Sequence, residues 1–264
     1  MVIITKISQQ EKRKDRYNIF LNEEYAFSVD ESVFIRFQLK KGMELSKDEI
    51  DVIAHQDGIQ KGLNTAIHFL SIRMRSEKEV RDYLQKKEIE LEAIEEVIRS
   101  LHRLSYLDDA QFAKAYVNTQ INTTDKGPGV IRRELKEKGI QEKWIEEVLS
   151  SFDFSSQLEK ATALAEKYRK KYRKESFVIQ KQKIEQALMR KGYGWDVIQE
   201  AVVAEQASED EEQQEALMYQ VEKAHRKYSK YTGGEYRQKM KQSLYRKGFA
   251  ISDIEKAMER LEQD

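Results

Sequence analysis

The stretch Glu134-Leu135-Lys136-Glu137-Lys138-Gly139-Ile140-Gln141-Glu142-Lys143-Trp144-Ile145-Glu146-Glu147-Val148-Leu149 writes a helix end, a corner and a second helix in sixteen residues. Lys138 puts a cation on the negative end of the first helix dipole, and Gly139 tolerates the positive φ of a helix terminus. Ile140 is placed to fold back onto the helix just left. Acids then collect near the start of the next helix, where charge and dipole agree.

Outward from this stretch, the same frame returns. A leucine followed three residues later by lysine occurs at Leu84–Lys87, Leu135–Lys138, Leu188–Lys191 and Leu244–Lys247. Ten residues after each leucine stands Ile94, Ile145, Ile198 or Ile254, and then an apolar pair: Val97-Ile98, Val148-Leu149, Ala201-Val202 and Ala257-Met258. Glycine follows the lysine in three copies (Gly139, Gly192, Gly248), whereas the first copy has Glu88. The residue after it is apolar every time: Ile89, Ile140, Tyr193 and Phe249. Upstream of each frame lies a longer amphipathic segment, at about Asn64–Arg75, Asp109–Ile121, Ser156–Arg173 and Glu211–Ser229. Anchor spacings of 51, 53 and 56 residues have the period of a helical array.

The predicted fold is therefore mainly α, with four tandem three-helix repeats over 61–104, 105–153, 154–206 and 207–264. No single unit buries its apolar stripe alone, so the repeats are expected to stack into an elongated curved rod.

Residues 1–60 read differently, as a small accessory domain. Val2–Ser8, Tyr17–Leu21 and Tyr25–Val29 are short runs rich in β-branched and aromatic residues, separated by polar turns. They predict an antiparallel β-meander. Asp30 is a candidate N-cap for a short helix through Val33, Phe34 and Phe37, ended by Gly42, and Ser46-Lys47-Asp48-Glu49 is a capping box opening another.

Composition narrows the function. The 47 basic and 47 acidic side chains cancel, which argues against coating nucleic acid through overall charge but leaves local patches open. The absence of cysteine excludes disulfides, thiolate catalysis and cysteine-ligated metal, and suggests a reducing cytoplasm. No apolar run approaches the ~18–20 residues of a membrane span, so no membrane partner is expected. His55, His68, His102 and His225 stand without metal-ligand spacing, and there is no glycine-rich phosphate loop or nucleophile elbow. The adjacent pairs Glu95-Glu96 and Glu146-Glu147 point about 100° apart on a helix and read as dipole-matched acids. No catalytic residue, cofactor or metal is expected.

The cations are uneven. Lys167 to Lys191 holds ten basic residues against Glu175 and Glu185, and Lys223 to Lys247 holds nine against Glu235. Glu205 to Glu215, between them, carries six acids and no base. The candidate contacts to phosphate are Lys167, Arg169, Lys170, Lys171, Arg173, Lys174, Arg190 and Lys191, then Arg226, Lys227, Lys230, Arg246 and Lys247. A weaker group is Arg132, Arg133 and Lys136, beside Gly127-Pro128. Lys and Arg interleaved with Tyr suit phosphate contact with stacking; the tyrosines read more simply as half-buried rings with their hydroxyls outward.

Over roughly Leu63–Phe152 the residues resemble the RecX regulatory family. They carry Arg73-x-Arg75-Ser76-x-x-Glu79-Val80-x-x-x-Leu84-x-x-Lys87, then Tyr106-Leu107-Asp108-Asp109-x-x-Phe112-Ala113-x-x-Tyr116-Val117, then Lys126-Gly127-Pro128-x-x-Ile131-x-x-Glu134-Leu135-x-x-Lys138-Gly139-Ile140. Structurally, Ser76 with Glu79 is a capping box and Asp108 an N-cap. The N-terminal β-rich segment and the fourth repeat stand outside this signature. The resemblance implies a partner, the RecA recombinase on single-stranded DNA. It implies lodging in the groove of that filament, restraint of its growth, and a place in DNA repair, homologous recombination and the SOS response. A self-stacking chain needs no second copy, so a monomer is expected. The alternative is a sequence-specific helix-turn-helix-like DNA-binding regulator, weakened because the third helices are acidic (Glu92, Glu95, Glu96; Glu142, Glu146, Glu147). A protein-interaction scaffold without nucleic acid is a third reading.

Overall fold

The structure, a computed structural model, describes residues 1–203 and 209–263. The acidic run from Glu205 begins outside these residues, as does the expected boundary between the third and fourth repeats at 206–207. The chain divides into two compact units, one of residues 1–114 with 136–144, the other of 115–135 with 145–264.

In the first unit, β1 (Val2–Gln9), β2 (Arg16–Leu21) and β3 (Glu24–Asp30) form the expected meander, joined at its edge by β4 (Glu44–Leu45) in the order β3-β2-β1-β4, all antiparallel. β4 has two residues, too few for alternation to mark it. The β2–β3 turn places Asn22 and Glu23 at φ 49° and 74°, the two positive values of a tight hairpin matched to strand twist. Ile4, Ile19, Val29, Val33, Leu39, Leu45 and Ile53 close this core. Asp30 caps α1 (Glu31–Arg36) by accepting from the Ser32 amide. Gly42 does not end that helix. The turn comes at Phe37-Gln38, with Leu39 N–H donating back to the Phe34 carbonyl, whereas Gly42 at φ 86° sends its N–H to the Ile4 carbonyl and leads into β4.

The Ser46–Glu49 capping box opens α2 (Lys47–Ile72), a single helix of 26 residues that runs through Gly58 and Gly62. The first helix of repeat one, expected near Asn64, is thus the second half of a helix begun in the β domain. Arg16, at the start of β2, donates to Asp57 of α2 at 2.6 Å, and Asn64 donates to Asp30 at 3.0 Å. Both are local ties between the sheet and α2.

The repeats follow the sequence frame. Repeat one continues with α3 (Glu77–Lys86) and α4 (Leu91–Arg103). Repeat two has α5 (Asp109–Thr123), α6 (Pro128–Glu137) and α7 (Glu142–Leu149). Repeat three has α8 (Phe154–Tyr172), α9 (Phe177–Lys191) and α10 (Trp195–Val203). Repeat four has α11 (Glu209–Tyr228), α12 (Gly233–Tyr245) and α13 (Ile251–Gln263). Leu84, Leu135, Leu188 and Leu244 are each fully buried, as are Ile145, Ile198 and Ile254. Burying one such side chain contributes about 1.5–3 kcal/mol, so the frame marks the core. Ser76 and Glu79 form the expected capping box and Asp108 accepts from the Gln111 amide at 2.9 Å. Glu88 takes φ 58°, the same left-handed turn that Gly139, Gly192 and Gly248 make at 80–89°. In three corners, the amide of the next residue (Ile89, Tyr193, Phe249) closes back on the anchor leucine's carbonyl.

These corners are also joints between repeats. In the first unit, Lys78 at the start of α3 donates from Nζ to the Glu137 carbonyl at 2.8 Å, and Lys138 reaches Glu79 at 3.1 Å. In the second unit, Gly127 N–H donates to the Lys191 carbonyl at 2.7 Å and Gly129 N–H to Gly192 at 2.9 Å. Also there, Ser176, which caps α9, donates from Oγ to the Lys247 carbonyl. Each time the N-terminus of a second helix receives the C-terminal corner of the following repeat's second helix. Positive and negative dipole ends meet, and carbonyls left over at one helix end find donors at another.

Candidate nucleic-acid interface

Most of the candidate cations belong to the second unit, and their surroundings sort them into two sets. The α8 terminus presents Lys167, Lys170, Lys171 and Arg173 to solvent, with Lys174 just beyond. Lys167, Lys170 and Arg173 recur at three-residue spacing, which puts them along one side of the helix. None of these three makes an ion pair among the described residues. Tyr168 and Tyr172 are half-buried and stacked, ring centroids 6.0 Å apart at 8°. The Lys171 ammonium lies 5.9 and 5.5 Å from those rings, and Lys183 lies 5.3 Å from Tyr172. The rings therefore seat the cations, holding long side chains that would otherwise be free. Lys174 sits 4.1 Å over Tyr219 in the same way.

Others are engaged inside the fold. Arg169 is half-buried and pairs with Glu212 of α11 at 3.1 Å. Lys247 donates to Gln220, whose amide in turn donates to the Lys174 carbonyl at 2.6 Å. Burial and then the neighbouring Lys223 lower the Lys247 pKa, the mark of an ammonium held in the joint. Lys191 is half-buried, and its backbone carbonyl, not its ammonium, accepts from Gly127 N–H. Lys136, in the first unit, pairs with Glu142 at 2.9 Å. Arg132 is half-buried and has a partner, while Arg133 is exposed.

In repeat four, Lys227 and Lys230 lie 5.2 and 5.3 Å over Tyr228 and Tyr231, and Arg226 pairs loosely with Glu222 at 3.5 Å. A hydrogen bond with Ser243, joined by one with Lys227, outweighs desolvation and holds the Tyr228 hydroxyl below its usual pKa. Arg190 and Arg246 are exposed at the ends of α9 and α12.

Sequence reasoning missed a second cation–aromatic stack, in repeat one. The Arg75 guanidinium lies 4.1 Å over Phe69, which stacks on Tyr83 at 3.9 Å and 7°, and Lys87 lies 5.6 Å from Tyr83. Its members come from α2, α3 and the segment between, so no local spacing announces it. Among the described residues no group of histidines and carboxylates could hold a metal ion, and no helix is long and apolar enough to cross a membrane.

Comparison with known proteins gives one answer along the whole chain. Residues 2–46 match the family model for the regulatory protein RecX N-terminal domain, 63–101 the first RecX three-helix domain and 108–149 the second. The third-domain model matches twice, at 155–202 and 210–258. The β segment and fourth repeat, outside the quoted signature, thus both have counterparts among RecX domains. The regulatory protein RecX of Bacillus subtilis is 47% identical over 99% of this chain and 100% of its own length. That of a Geobacillus strain is 44% identical over 100% and 98%. A crystal structure of regulatory protein RecX aligns with TM-score 0.67 at 39% identity, covering 75% of this chain and 98% of that one. RecX from Lactobacillus salivarius aligns at 0.54 and 38% over 56% and 97%.

Proposed function

The chain belongs to the RecX family of regulatory proteins, and on that premise we propose that it binds the filament of RecA recombinase on single-stranded DNA and restrains the filament's growth. The observation that carries this reading is the α8 terminus, where Lys167, Lys170 and Arg173 are exposed and make no ion pair among the described residues. Cations in the last turn suit a helix dipole, but one or two would serve that purpose. A row of them on a chain with no net charge supports a polyanionic partner met locally. The set proposed to face phosphate is Lys167, Lys170, Lys171, Arg173 and Lys174, extended by Arg190, Arg226, Lys227, Lys230 and Arg246. Arg169 and Lys247 act within the fold.

The test is Lys170→Glu, Lys171→Glu and Arg173→Glu together, with binding to assembled filaments measured at several salt concentrations. Affinity should fall, and the slope of log K against log salt should drop by roughly 0.7 for each single-strand phosphate that the variant no longer neutralises. Unchanged affinity and slope would remove the phosphate role. Equal binding to one duplex sequence without recombinase would replace the filament reading.

A further inference from the structure

In the first unit, a cleft of about 600 Å³ lies where the β domain meets repeat one, and none of the candidate phosphate-contacting cations lines it. Its floor is one stripe of α2 (Gln56, Ile59, Gln60, Leu63), and its walls are α1, through Ser32, Val33 and Arg36, and α4, through Glu96, Arg99, Ser100 and Arg103. Three arginines face one glutamate. Arg36 is oriented by Gln56, to which it donates at 2.8 Å, and Arg99 holds Glu96 at 2.6 Å. Arg103 makes no ion pair among the described residues.

Arg99 and Arg103 are four residues apart on one helix, where like charges repel and weaken the helix. A last-turn cation suits the dipole and accounts for Arg103, but not for three arginines lining one cleft. The volume falls within the range of small-molecule sites, which favour junctions between domains. The apolar side chains of Ile59 and Leu63 on the floor can take a flat heterocycle, while planar guanidinium groups match phosphate oxygens in pairs.

We infer that this cleft binds a free nucleotide polyphosphate, its phosphates on Arg36, Arg99 and Arg103 and its base against Val33, Ile59 and Leu63. The experiment is calorimetric titration of the full chain with ATP, inorganic triphosphate, adenosine and a short thymidine oligonucleotide. ATP should bind one-to-one, triphosphate more weakly, and adenosine at least tenfold more weakly than ATP. Arg103→Gln and, separately, Arg36→Gln should each weaken ATP at least fivefold while the helical circular-dichroism signal is retained. The triple glutamate variant at Lys170, Lys171 and Arg173 should bind ATP as the unaltered chain does. Absence of ATP binding, or ATP binding unaffected by both arginine variants, overturns the assignment. So does a cleft that responds to the oligonucleotide alone, which would make it part of a nucleic-acid surface.

Discussion

At the scale of one residue, Glu88 and Gly139 occupy the same corner of two repeats with different chemistry. A left-handed backbone costs a residue with a Cβ roughly 1–2 kcal/mol, partly offset by the smaller entropy it loses on folding compared with glycine. Glu88→Gly should therefore stabilise the protein by about 0.5–1 kcal/mol, read as a rise in the thermal midpoint. Gly139→Ala should do the reverse and more, about 2 kcal/mol, because it adds strain at φ 81° and its Cβ would stand 2.8 Å from the Lys78 Cβ. The corner glycines were legible in the sequence because helix ends obey local rules. What stays illegible there is that Gly139 is also pressed against Lys78, a neighbour about sixty residues away along the chain.

At the scale of the element, the starts of α3 and α9 decide how repeats hold together. Ser176 is fully buried, caps its own helix and donates to the Lys247 carbonyl. Ser176→Ala should cost roughly 2 kcal/mol, one part for the cap and one for the orphaned carbonyl, measured by urea unfolding. At α3, burial alone would raise the Glu79 pKa. Hydrogen bonds from Arg73, the Ser76 amide and Lys138 outweigh it and hold the carboxyl below its usual range. Glu77 is likewise lowered against burial by His102 and Arg81. Carboxyls depressed in the folded state contribute stability that is present above the ordinary glutamate pKa and lost as pH falls through the folded value. The thermal midpoint should thus fall as pH drops below about 4.3, and Glu79→Gln should flatten that fall. Capping boxes at Ser46 and Ser76 were readable from four residues each, as was the Asp30 cap. The length of α2 was not, since Gly58 and Gly62 look like punctuation until the packing of α2 on α4 is known. β4 carries too few residues to signal itself.

At the scale of the whole molecule, equal numbers of opposite charges mean that long-range attraction to a polyanion is weak, so binding depends on the field within a Debye length of about 8 Å. Placing glutamates at Lys170, Lys171 and Arg173 should therefore reduce the salt dependence of filament binding. The same number of charge reversals at Lys12, Arg13 and Lys14, in the β1–β2 turn, should leave it in place. A binding experiment with both variants at matched net charge separates the two, and equal effects would mean that total charge governs. The charge clusters were visible in the sequence, but their sorting was not: the frame that marks Lys247 gives no sign that Gln220 holds it, or that Glu212 takes Arg169.

The joints bear on how the chain is made. The N-termini of the first three second helices wait for a corner lying about 60 to 70 residues further on, as Ser176 waits for Lys247. A ribosome adding about 5–20 residues per second delivers that corner several seconds later. Until then the start of that helix remains unfinished. A pause in translation between repeats would prolong that interval and leave the newest helix start open to chaperones or to the wrong neighbour.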